Sequence, residues 1–234
     1  MLVLLGAAMK SPDPLQQTET SPSGGKLLSL LPGPCGQIGP LRRFVTISLT
    51  VWPVLGLYLV IAHGRFASPT ELVMPPWVPF WPAFTLPYLG MLVVTWLLPV
   101  CIGDVGRFRA CLWGLVCAYL LVMPWWILTP TTMPRPPLPE GWWADSYRWL
   151  SACDPPNNVT PCAHGIGPVV GAWFAAREHP KWRWPLVGML VLGLSSIALV
   201  WQHRPFDILL GTAAAGIGIV VGERLRCRSK AYES

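Results

Sequence analysis

WPLVGMLVLGLSSIALVWQHRPFDILLGTAAAGIGIVVG, residues 184–222, is two apolar runs parted only by Gln202-His203-Arg204-Pro205. Each run reaches the roughly 17–25 residues that a helix needs to cross a bilayer core. Pro205 suits the first turn of the second helix, where its missing N–H costs nothing. So short a connection predicts a tight antiparallel hairpin. Upstream, further apolar blocks lie at about 44–62, 86–102, 108–128 and 161–176, the last short and rich in Gly and Ala. The chain as a whole is 53% apolar and only 12% charged, with a mean hydropathy of +0.47. A soluble domain carries about 25% charged residues.

These blocks predict an all-α, integral membrane six-helix bundle over residues 41–223. Residues 1–40, rich in Ser, Pro, Gly and Gln, are expected to be a flexible tail; their apolar start lacks the basic region of a signal peptide. Residues 224–234 form a basic tail. Gly167, Gly171, Gly211, Ala215 and Gly218 are small enough to let membrane helices approach closely.

The net charge of +6 does not signal nucleic acid, because the basic residues are spread over short loops. They set topology instead. With the N-terminus in the cytoplasm, only Arg65, Arg135, Arg148 and Arg204 fall on the outer side. Both termini are therefore expected inside a cell (inner) membrane, with the 63–85 and 129–160 connections facing outward. Seven cysteines are present without a C-x-x-C pair, so neither a metal nor a cofactor is expected. Cys153 and Cys162 share one outer connection and are either disulfide-bonded or two free thiols.

Chemistry concentrates at the outer helix ends. His63 and His179 read as ordinary loop residues. His164 lies in Asn158-Val-Thr-Pro-Cys-Ala-His164. Thr160 suits an N-cap and Pro161 the first helical position, which puts His164 in the first turn of the fourth helix. Free N–H groups and the helix dipole favour an anion there. His203 and Asp207 are four apart across the start of the sixth helix, so a carboxylate can orient the imidazole and leave its other nitrogen free for attack. Arg135 and Arg204 bring positive charge to the same face.

These segments resemble the three motifs of the type-2 phosphatidic acid phosphatase superfamily. Residues 129–136 (Thr-Pro-Thr-Thr-Met-Pro-Arg135-Pro136) resemble the end of K-x6-R-P, residues 154–164 resemble P-S-x-H, and Ser196, His203 and Asp207 resemble S-R-x5-H-x3-D. The Pro/Trp-rich stretch before Leu86-Pro-Tyr-Leu looks like the branch containing inositol phosphorylceramide synthases. The resemblance implies an enzyme that hydrolyses or transfers the phosphoryl group of a phospholipid, polyprenyl or sphingolipid phosphate. His203 would be the nucleophile, Asp207 its orienting partner and His164 the proton donor. Arg135, Arg204, Cys162 and Gly165 would line the phosphate. No metal is implied. The motif lysine, serine and arginine fall on Leu128, Cys162 and Ile197, and these losses motivate the alternative of a non-catalytic lipid-binding relative. Asn158-Val-Thr160 matches a glycosylation sequon and is read as accidental.

Overall fold

Proline and small residues decide where the apolar blocks begin and how closely they pack. The structure, a computed structural model, describes residues 38–63, 68–138 and 140–231; the expected tail over 1–37 lies outside them. Seven helices are present there: α1 (Pro40–His63), α2 (Thr85–Val100), α3 (Val105–Leu128), α4 (Trp142–Cys153), α5 (Ile166–Glu178), α6 (Arg183–Leu199) and α7 (Pro205–Ala231). Pro40 and Pro205 open α1 and α7, as their fixed φ favours. Asp104 caps α3 by accepting the Arg107 N–H at 2.8 Å, satisfying one of the donors a helix start leaves unpaired.

Five of these helical segments are long and apolar enough to cross a membrane. Large apolar side chains such as Leu49, Val191, Leu209 and Val220 lie exposed along them, as lipid-facing surfaces require. This is the architecture of a multi-pass membrane protein. The sixth span, expected at the fourth block, is not among these five. α5 has 13 residues, about 20 Å of helix, against a hydrocarbon core of roughly 30 Å. It is wrapped by its neighbours, with Ile166, Val170, Phe174 and Ala175 fully buried. The chain before it, from Asn157 to Gly165, is irregular.

The other boundaries also shift. His63 ends α1 rather than lying in a loop, and the basic segment after residue 223 continues α7 helically to Ala231. The 129–160 connection contains an unforeseen amphipathic helix, α4, which buries Ala144, Tyr147 and Leu150 and exposes Asp145 and Arg148.

The long helices alternate in direction. At one end, called here the basic end, the Ile38 N–H meets the Gly103 carbonyl, Arg107 pairs with Glu178, and His179 Nε2 lies 3.0 Å from the Cys101 carbonyl. At the other, the Trp81 N–H donates to the Leu199 carbonyl and the Trp126 indole donates to the Pro161 carbonyl. α3 and α7 form the tightest pair. A Cβ on Gly218 would meet the Gly114 carbonyl oxygen at 2.3 Å, and one on Gly222 the Ala110 carbonyl oxygen at 2.3 Å. This is small-residue packing with backbones in contact.

The connections at the end opposite the basic end are laced together rather than loose. β1 (Thr70–Glu71) pairs in parallel with β2 (Thr131–Thr132), Thr70 opposite Thr131, and Thr132 bridges Asn157. Met74, Val78, Met133 and Val159 form a small apolar cluster beneath them. This strap holds the backbone on which the site is built.

Candidate functional site

Three segments distant in sequence converge at the end of the bundle opposite the basic end. The first follows α3 and carries Arg135. The second runs from Asp154 to Gly165 ahead of α5. The third is the Trp201–Arg204 turn between α6 and α7. The Asp154–Gly165 segment is fixed on both sides: the Asn158 N–H donates to the Thr131 carbonyl at 2.8 Å, and the Cys162 N–H donates to the Asp207 carbonyl at 3.0 Å. A Cβ on Gly211 would lie 1.9 Å from the Cys162 carbonyl oxygen, so only glycine lets α7 pass this close.

His164 and His203 meet directly, His164 Nδ1 lying 2.9 Å from His203 Nε2. His203 Nδ1 faces the Val159 carbonyl at 2.5 Å. His164 Nε2 is 3.5 Å from an Asp154 carboxylate oxygen, and the Tyr58 hydroxyl donates to the other at 3.1 Å. His164 also rests edge-on against Tyr88, with ring centroids 5.5 Å apart.

Counting protons assigns the tautomers. A carbonyl only accepts, so His203 carries its proton on Nδ1 and presents a lone pair at Nε2. His164 then donates from Nδ1. Two neutral rings supply two protons for three contacts, and the unprotonated contact is the long one, His164 to Asp154. A third proton on His164 Nε2 would complete the chain from Asp154 to Val159. Burial lowers the His203 pKa to about 3, with His164 beside it acting in the same direction. Burial also lowers that of His164, opposed by Asp154 and assisted by Arg135. Both rings are thus held neutral and nucleophilic at neutral pH.

Asp207 does something other than orient His203. Its fully buried carboxylate is clamped by Arg204, whose Nε and Nη2 donate at 3.0 and 2.9 Å, and by the Thr160 hydroxyl at 2.5 Å. The Arg204 pKa is raised, chiefly by those hydrogen bonds. Thr160 is accordingly not the N-cap of α5. The helix starts at Ile166 behind Gly165, and His164 lies just before it. The orienting role expected of Asp207 falls to the Val159 carbonyl. Asp154, which sequence reasoning did not single out, is the carboxylate nearest the histidines.

Arg135 reaches the site, donating from Nη1 to the Trp201 carbonyl at 2.6 Å and from Nη2 to the Asp154 carbonyl at 3.3 Å. Its Nε is buried and unpaired, as are Asn158 Nδ2 and both polar atoms of the Gln202 side chain. Buried polar atoms without partners are uncommon, and these belong to the same three segments. Cys162 is buried and Cys153 exposed, and both are free thiols, which removes the disulfide alternative. The backbone N–H groups of His164 and Gly165 bond to the Cys162 thiol, whose pKa burial pushes up to about 12. Of the motif departures, Leu128 is exposed at the end of α3 and Ile197 is fully buried. Asn158 of the sequon is buried too.

Among the described residues, Cys162, His164 and His203 are the donors that could hold a metal ion, their ligand atoms lying within 4.8 Å of one another. The two ring nitrogens are closer than the about 3.3 Å that separates two nitrogens on one tetrahedral zinc, and the thiol is held protonated. The donors as arranged form a hydrogen-bonded pair rather than a coordination sphere.

A cavity of about 260 Å³ opens beside His164 and Asp154, walled by Val54, Leu89, Leu92, Trp96 and other apolar residues of α1 to α4. Asp154 and His164, with Tyr58, bring ionisable groups to its wall. Compared with known protein families, curated proteins and solved structures, the chain matches none.

Proposed function

We propose that this protein is a membrane enzyme that cleaves or transfers the phosphoryl group of a lipid phosphate through a phosphohistidine. The observation that carries the reading is the meeting of His164 and His203 at 2.9 Å, beside Arg135 and at the wall of an apolar cavity. An amphiphile with its chain among Leu89, Leu92 and Trp96 would present its head to this pair. The unpaired N–H groups of Arg135 and Asn158 would donate to phosphate oxygens. These features agree with the resemblance to the type-2 phosphatidic acid phosphatase superfamily, to which the proposal also appeals.

In the proposed reaction the His164–His203 hydrogen bond opens and the phosphoryl group takes its place between the rings. His203 Nε2 attacks phosphorus while its Nδ1–H stays on the Val159 carbonyl, and the phosphorus–oxygen ester bond breaks. The negative phosphate raises the proton affinity of His164, and its second proton lies against Asp154. His164 gives the Nδ1 proton to the leaving oxygen. Water or a hydroxyl acceptor then passes a proton back to His164 and attacks phosphorus, and the phosphorus–nitrogen bond breaks. Arg135 stabilises charge on the transferring group. Phosphoryl transfer depends mainly on such positioning and electrostatics.

The excess of arginine and lysine at the basic end supports a cytoplasmic assignment for that end. The catalytic end would then face the non-cytoplasmic side of a cell (inner) membrane. A second reading, a lipid-binding relative without activity, is favoured by one observation: Arg204 is consumed by Asp207, leaving Arg135 as the site's one cation that no carboxylate neutralises among the described residues.

Purified protein incubated with a panel of lipid phosphates and pyrophosphates tests both. The enzyme reading expects turnover that falls by about a thousandfold or more in His203→Ala and His164→Ala, as for groups that act as a unit. Phosphate release without an acceptor would assign hydrolysis. Equal turnover in all three proteins would refute the site. No turnover, with lipid bound equally by all three, would establish the second reading.

A further inference from the structure

At the basic end α6 packs mainly on α2 and α5 and stands away from α7. The gap among α5, α6 and α7 is a cavity of about 640 Å³ whose walls include Leu186, Leu190 and Ile219. Two arginines stand at its edge, Arg177 from the last turn of α5 and Arg183 from the first of α6. The Arg177 guanidinium sits 4.9 Å from the Trp173 ring centroid and that of Arg183 5.5 Å from the Trp184 ring centroid. Such stacking fixes each cation at low entropic cost. Arg183 has no carboxylate partner among the described residues. Arg177 has only Glu223, whose oxygen lies 3.8 Å from Nε, beyond hydrogen-bond reach.

The geometry points to a binding site for an anionic diacyl phospholipid, its phosphodiester held between Arg177 and Arg183 and an acyl chain in the α5–α6–α7 groove. Charge complementarity selects the head: two cations line one cavity at a helix-end level where tryptophans mark the interface. Apolar walls select a lipid over free phosphate, because hydrocarbon fills such a groove and water gains no hydrogen bonds there. Basic pockets between membrane helices hold anionic lipid heads in this way. Glu223, which also accepts from the Trp173 indole at 3.3 Å, disfavours a carboxylate beside the phosphate and so a head bearing a second negative charge. This site lies at the opposite end of α5 from the histidines, and it stands or falls independently of the catalytic proposal.

Native mass spectrometry of the delipidated full chain, titrated with phosphatidylglycerol or phosphatidylcholine of identical acyl chains, tests it. Expected is one phosphatidylglycerol bound well below the concentration at which phosphatidylcholine binds. The Arg177→Gln/Arg183→Gln double variant should weaken it about 30-fold, taking each arginine at its usual value near an anionic surface. Arg148→Gln, at the other end, should leave it unchanged. Ala172→Trp, which fills the groove and spares both arginines, should also abolish it. Equal affinity for the two lipids, an unaffected double variant, unchanged binding in Ala172→Trp, or displacement by an equal concentration of glycerol phosphate would each overturn the proposal.

Discussion

His203 shows how a backbone carbonyl can do the work expected of a carboxylate. The Val159 oxygen fixes its tautomer without adding charge, so burial is free to keep the ring neutral. A histidine with a lowered folded pKa contributes stability that is complete above its unfolded value near 6.5. That contribution is lost as pH falls towards about 3, because the unfolded chain binds protons that the native state refuses. Thermal unfolding in detergent should therefore drop between pH 6.5 and pH 4, and His203→Gln should flatten the decline. Asp207 yields a different expectation. Arg204→Met strands a buried carboxylate and should cost about 3–5 kcal/mol, whereas Arg204→Met/Asp207→Leu should recover much of it. Turnover retained by the double variant would mark the pair as structural; turnover lost while stability returns would restore Asp207 to the chemistry. Both histidines were legible in the sequence, since ionisable residues at helix ends in so apolar a chain are conspicuous. Asp207's partner was not, because the spacing to His203 and the adjacent Arg204 offered two equally short-range pairings. Asp154 and the Val159 carbonyl left no periodic signal at all.

At the scale of elements, the long apolar blocks gave themselves away and the compromises did not. α5 is only 13 residues long and sits inside the bundle, rich in Gly, Ala and Val, with the irregular Asn157–Gly165 segment ahead of it. Block length alone could not separate that from a short membrane helix. α4 was legible in principle, since Ala144, Tyr147 and Leu150 recur at helical spacing opposite Asp145 and Arg148; the density of tryptophan and proline around it masked the pattern. The α3–α7 contact makes a sharp prediction. Gly218→Val would drive a side chain into the Gly114 carbonyl and should lower stability by about 1–3 kcal/mol or rearrange the pair. Gly216→Val, on the same helix with nothing within 4 Å of a Cβ, should change little. Comparable losses in both would mean the helices do not meet at Gly218.

For the whole molecule, alternation of helix direction places Ile38 and Glu223 at the basic end and the histidines at the other. Two native cysteines report on the sides. Cys153 is exposed near the site and Cys227 is exposed on the last turns of α7. In variants retaining one or the other, a membrane-impermeant maleimide added to intact cells should modify Cys153 and should reach Cys227 only after permeabilisation. The reverse pattern would invert the topology and put the site in the cytoplasm.

The strap of β1 and β2 ties the backbone that carries Arg135 to the backbone that holds His203. Arg135 follows β2 by three residues, and the segment bridged to β2 carries the Val159 carbonyl that holds His203. The Thr132–Asn157 bridge is thus the short backbone link between the arginine and the imidazole. Under the proposed function, one short strap would then set the positions of both the phosphate-binding cation and the attacking nitrogen.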